Sequence, residues 1–173
     1  MPKQQTDAFG RVLEMNLPES FRQYGAAVLA RNSEIVHKWN VESDGCSLSI
    51  PAVSPNGFDI RFEIERGAIT LYWGNWHTRF EPTAGVDKLI EDLFGLLRDM
   101  LSPDMRVREL CAGSTPYRGF LESHDGAHWA SEHEMALVFR NYFGKRSVRS
   151  YSNSILPARM SNANYGAAPD REH

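Results

Sequence analysis

The sequence is short of the features that would announce a chemistry. It has only two cysteines, Cys46 and Cys111, far apart and outside any C-x-x-C spacing. That is too few for a disulfide framework and fits a reducing compartment. No window approaches the roughly 20 apolar residues a membrane span requires. The start, Met1-Pro2-Lys3-Gln4-Gln5-Thr6-Asp7, is polar and leads into no apolar run of a secretory signal. Positive charge is not in excess: the formal net charge is -3, so the chain lacks the concentrated field that nucleic acid or an anionic membrane would need. The G-x-S-x-G elbow, the H-E-x-x-H helix and the phosphate loop are all missing. These absences predict a cytoplasmic, bacterial-type soluble protein with no cofactor, no nucleic-acid partner and no membrane, and they lean away from an enzyme.

What is present is ordinary globular material: 173 residues, 42% hydrophobic and 24% charged, with 11% aromatic. A chain of this length can bury about 70% of the surface its unfolded form exposes. One α+β domain is expected over residues 1–152. Residues 1–15 lack periodicity and read as a loosely docked arm. Residues 153–173, rich in Ser, Asn, Ala, Gly and Pro, read as a disordered tail.

Periodicity places the elements. Asn16 as N-cap, Pro18 in the first turn and Glu19 three residues past the cap read as a capping box, opening a helix with Leu17, Phe21, Tyr24 and Val28 on one stripe. Strands are expected over 35–41 and 47–53. The strongest is 58–65, where Phe58, Ile60, Phe62 and Ile64 alternate with Asp59, Arg61, Glu63 and Glu65. Ile69, Leu71 and Trp73 continue the buried face. A second helix runs from near Thr83 to before Pro103, with Val86, Leu89, Ile90, Leu93, Leu97 and Met100 as its stripe. Strands over 105–111 and 117–122 flank Gly113-Ser114-Thr115-Pro116 as a hairpin, and 136–143 with 146–152 look like another, although 132–143 also reads as helix. The fold class is α+β: a largely antiparallel sheet of about six to eight strands with two helices packed on one face.

Three clusters carry candidate chemistry. In Trp73-Gly74-Asn75-Trp76-His77-Thr78-Arg79-Phe80 the Gly74-Asn75 break either changes register, so that Trp76, His77 and Arg79 emerge as a contact edge, or leaves Trp76 and Phe80 pinning the helix to the sheet with His77 donating to a backbone carbonyl. Trp and Arg dominate interface hot spots because they cover much area with few torsions to freeze. The second cluster, Glu122, His124, Asp125, His128, Glu132, His133 and Glu134, has metal-ligand residue types. A helix would put His124 and His128 on one face, but His124-Asp125-Gly126 reads as a turn, and a wet loop is the default. The third, Asp59, Glu63 and Glu65, is a carboxylate row in which Arg61 points to a solvated or partner-covered face.

The run Gly74-Asn75-Trp76-His77-Thr78-Arg79-Phe80, followed by a helix and by a strand pair around Gly113 and Tyr117, resembles a group of small uncharacterised bacterial proteins with a W-H-T-H-F-like hairpin end. Arg79 stands where the second His of that pattern would be, leaving a two-His metal role without its second imidazole. Some small α+β proteins of this look serve as immunity or antitoxin partners. The expected function is therefore a non-enzymatic protein-binding protein using Trp76, His77 and Arg79. The alternative is a small metal-assisted hydrolase using His77, His124 and His128.

Overall fold

The computed structural model describes residues 16–65, 67–137 and 143–159; the expected arm of residues 1–15 lies outside them. Among the described residues there are two helices and nine strands. The strands form two antiparallel sheets, of five and four strands, in place of one sheet of six to eight. The chain divides into two compact units. Of the described residues, one takes those up to Pro51 with those of Asp59–Tyr72 and His77–Phe94; the other takes Ala52–Phe58, Trp73–Trp76 and those from Gly95 onward.

The five-stranded sheet runs in order β1 (Lys38–Val41), β2 (Cys46–Ile50), β3 (Ile60–Ile64), β4 (Ile69–Trp73) and β5 (Trp76–Phe80). Alternation decides its two faces. Leu48 pairs with Phe62 and Cys46 with Ile64, all buried, while Ser47, Ser49, Arg61 and Glu63 point the other way. The strong period-two pattern of 58–65 thus does what its chemistry requires.

Both helices reach the inner face of this sheet through rings. Phe21 of α1 (Leu17–Ala30) lies 5.4 Å from Phe62 and 5.0 Å from Phe94 of α2 (Val86–Met100), and Phe94 stacks on Phe62 at 6.5 Å. The α1 stripe differs from expectation. Leu17, Phe21, Gly25 and Leu29 are buried, whereas Tyr24 is 42% exposed. Trp39 and Phe94 press closely on Gly25, where an added Cβ would lie 2.7 Å from the Phe94 ring and 2.9 Å from the Trp39 ring. The capping box does not form either. Asn16 makes no side-chain cap bond, and the Glu19 carboxylate is taken by Arg22 at 2.8 Å and Gln23 at 2.7 Å.

The four-stranded sheet has the order β8 (Trp129–Ala136), β7 (Thr115–His124), β6 (Met105–Ala112), β9 (Arg146–Tyr151). The hairpin expected between 136–143 and 146–152 is not made, because β8 and β9 are opposite edges, held by β7 and β6. Residues 129–136 are strand and not helix; residues 138–142 lie outside the described set.

The tail expected from Asn153 begins with packed residues. Asn153 is 2% exposed; its amide donates to Phe58 O at 3.1 Å and Met100 O at 3.3 Å and accepts from Phe58 N at 3.3 Å. The Ile155 and Leu156 N–H groups both donate to Leu101 O at 2.9 Å, and Arg159 pairs with Asp99 at 2.7 Å. One buried amide satisfying three backbone groups fixes a segment that hydrophobic periodicity could not register. Residues 160–173 lie outside the described set.

Candidate functional site

The hairpin end follows from two-residue turn geometry. Gly74 has φ 62°, a conformation that favours glycine, and the turn Gly74-Asn75 leaves Trp73 and Trp76 flanking it. Residues that flank such a turn directly oppose one another and share a face. Since Trp73 points inward, Trp76 must as well. Trp76 is 3% exposed, its ring 6.2 Å from that of Trp73.

Trp76 is therefore not at a contact edge, which corrects the expected emergence of all three residues. Its indole N–H donates to Glu109 Oε1 at 2.9 Å, and Asn75 Nδ2 donates to the same oxygen at 3.3 Å. Glu109 is a 2% exposed carboxylate, so these two donors supply partners that water cannot. Gly119 pairs with Glu109 across β6 and β7, and a Cβ added there would overlap the Trp76 ring.

His77 and Arg79, two and four residues past Asn75, fall on the opposite, outer face of β5 and are exposed. Around them the outer face of the five-stranded sheet is centred on Tyr72. The Arg61 guanidinium lies 4.2 Å over the Tyr72 ring, the Tyr72 hydroxyl donates to Glu63 Oε2 at 2.8 Å, and the His77 ring is 5.6 Å away. Arg61 also pairs with Glu63 at 3.0 Å, and Arg79 approaches Glu65 at 3.9 Å. The hydrogen bond to Glu63 and then burial raise the Tyr72 pKa, so the phenol stays a neutral donor. The carboxylate row Asp59, Glu63, Glu65 is thus interrupted by the cations Arg61 and Arg79.

Among the described residues, no three His, Cys, Asp or Glu side chains converge in a way that could hold a metal ion. Asp125 Oδ1 accepts from Ala127 N at 2.8 Å and His128 N at 2.7 Å, which makes 125–128 a side-chain-capped turn and not the helix that would align His124 with His128. The His124 ring lies 4.8 Å from Trp129. His77 belongs to the other unit. Burial lowers the pKa of His133, and burial raises both thiols, Cys46 and Cys111, away from the reactive range.

On the outer face of the four-stranded sheet Glu122, read from sequence only as a metal-ligand type, has arginine partners that the sequence reading did not assign to it. Glu122 accepts from Arg106 Nε and Arg108 Nε, each at 2.7 Å, while its side chain is only 6% exposed. Burial pushes its pKa up, but the bonds from Arg108 and Arg106 outweigh that and hold it low. Arg106 lies 4.0 Å over Trp129, and Arg108 at 4.2 Å and Arg118 at 5.0 Å cover Phe120. The alternation Arg106, Arg108 opposite Phe120, Glu122 was the available signal, visible only once β6 and β7 are paired.

No family model, no curated protein and no solved structure matches the chain. No helix among the described residues is long and apolar enough to cross a membrane.

Proposed function

We propose that this is a non-enzymatic protein-binding protein of the cytoplasm, whose partner docks on the outer face of the five-stranded sheet around Tyr72, with His77 and Arg79 at its rim. The observation that carries this reading is the clamped tyrosine. Guanidinium above, carboxylate at the hydroxyl and imidazole beside it contact one large amphipathic ring on three sides. A ring already ordered in the free protein loses little entropy on binding, which is what interface anchors require. Trp76 serves this face from behind, as the buried foot of the hairpin that presents His77. The resemblance of the hairpin end suggests an immunity- or antitoxin-type partner, and a partner-covered face accounts for a mixed-charge row with one ring at its centre.

The test is affinity capture from the native lysate with wild type and Tyr72→Ala. Wild type should retain one protein in near-stoichiometric yield. The variant should lose it, since an anchor of this kind is worth about 2 kcal/mol or more, while its melting midpoint stays within that of a minor surface change. Identical captured sets for the two proteins would refute the reading.

A further inference from the structure

We infer that the outer face of the four-stranded sheet is a second, independent binding surface, built to take an acidic extended segment of a protein partner. Among the described residues the face carries Arg106 and Arg108 on β6, Arg118 on β7 and Arg146 on β9, against Glu122 and Glu134. A chain of net charge -3 thus concentrates positive charge on one sheet face. Local complementarity of this sort selects a negatively charged partner.

The arginines are held ready. Each of Arg106, Arg108 and Arg118 sits over a ring, at 4.0–5.0 Å from its centroid. Glu122 takes Nε of both Arg106 and Arg108, together with Nη2 of Arg108. The shared carboxylate compensates one of the two charges, and the remaining Nη donors of a planar, pre-oriented fork suit a partner's carboxylates in bidentate geometry. Val148, 61% exposed, and Trp129, 36% exposed, give the same face the apolar contact that such a segment would bury.

Charge alone would also admit single-stranded nucleic acid, but the rings argue against it. Base binding on a sheet uses bare aromatic faces. Here guanidiniums lie over Trp129 and Phe120, His124 sits beside Trp129, and Phe120 is only 8% exposed. Two carboxylates within the face would repel a run of phosphates, whereas the side chains of an acidic strand, spaced by alternation, can avoid them.

The test uses the full chain and a short peptide of alternating Glu and Thr, with a Lys/Thr peptide and oligothymidylate as the other probes. Titration followed by amide chemical shifts should move residues of β6, β7 and the Trp129 end of β8 with the acidic peptide and not with the basic one, and the affinity should fall with salt. Arg106→Gln/Arg108→Gln/Glu122→Gln, which removes both sides of the ion pair and strands no buried charge, should weaken the acidic peptide by about tenfold. If that variant melts early, Arg118→Gln, at a half-exposed position, should still weaken it by about threefold. Tyr72→Ala should leave it unchanged, which separates this surface from the Tyr72 face. Shifts elsewhere, unaltered affinity in both arginine variants, or tighter binding of oligothymidylate would each overturn the inference.

Discussion

Glu63 and Glu122 occupy comparable places, each on the outer face of a sheet with arginine and an aromatic ring beside it, yet one is 38% exposed and the other 6%. Glu63 has Arg61 and a tyrosine hydroxyl. Glu122 has two guanidiniums, each itself only about a quarter exposed at 26% and 28% and laid over a ring. The difference between these two carboxylates follows the cover on their cations, since Arg61 is itself 47% exposed. One shared cation leaves a carboxylate better off in water, whereas two covered cations make a dry site tolerable.

The comparison between inner and outer faces is broken most sharply at neighbouring positions of β3. Phe62→Ala removes a 1% exposed ring that touches Phe21 and Phe94, and should cost about 3–5 kcal/mol through lost burial and the cavity left behind. Denaturant melts of the variant against wild type would measure it. A cost below about 1 kcal/mol would mean that the two helices do not rest on this ring.

Next in size is Glu122 itself. Glu122→Ala leaves Arg106 and Arg108 facing each other without their carboxylate, and should cost about 2–3 kcal/mol, less than for a fully buried pair because the guanidiniums keep some water. Glu122→Gln keeps the shape and tests the sign of the pH dependence. Because the folded-state pKa of Glu122 lies below its unfolded value, its contribution is complete above the unfolded pKa and is lost as pH falls through the folded one. Melting midpoints of wild type and Glu122→Gln, well separated at neutral pH, should therefore converge on acidification. A separation that grows toward acid would reverse the assignment.

Beneath that sheet, Gly119→Ala forces a methyl group into the Trp76 indole. Overpacking of this kind costs about 1–3 kcal/mol, read as a drop in melting midpoint with blue- or red-shifted tryptophan emission. The pairing of Gly119 with Glu109 shows why the site was only half legible in sequence. The burial of Trp76 was readable: a two-residue Gly-Asn turn between two tryptophans puts both on one face, and Trp73 was already assigned inward. Its partner Glu109 was not, since nothing local links residues 33 apart in the chain. The same holds for Asn153, whose packing rests on backbone groups of Phe58 and Met100. By contrast, the inner face of β3 and the stripe of α2 follow from period alone, because each buries residues of its own segment at regular spacing. The second sheet was missed for a related reason. Strand runs declare themselves one at a time, whereas their division between sheets depends on long-range pairing.

The smallest expected effect completes the comparison. Glu63→Ala removes a half-exposed carboxylate from Arg61 and Tyr72, and should change stability by less than about 0.5 kcal/mol, since exposed pairs give back in hydration most of what they gain in attraction. The tyrosine hydroxyl then turns to water at little cost. What should change is the order of the Tyr72 ring: without its acceptor, the ring keeps only the guanidinium above it, and side-chain relaxation should report broader rotamer sampling. If Glu63→Ala instead costs as much as Glu122→Ala, the Glu63 carboxylate is as dependent on its partners as the buried one, and exposure is not what separates the two faces. If stability and ring order both stay fixed, the clamp on Tyr72 is not made by Glu63, and the anchor proposed for the partner-binding face loses its principal support.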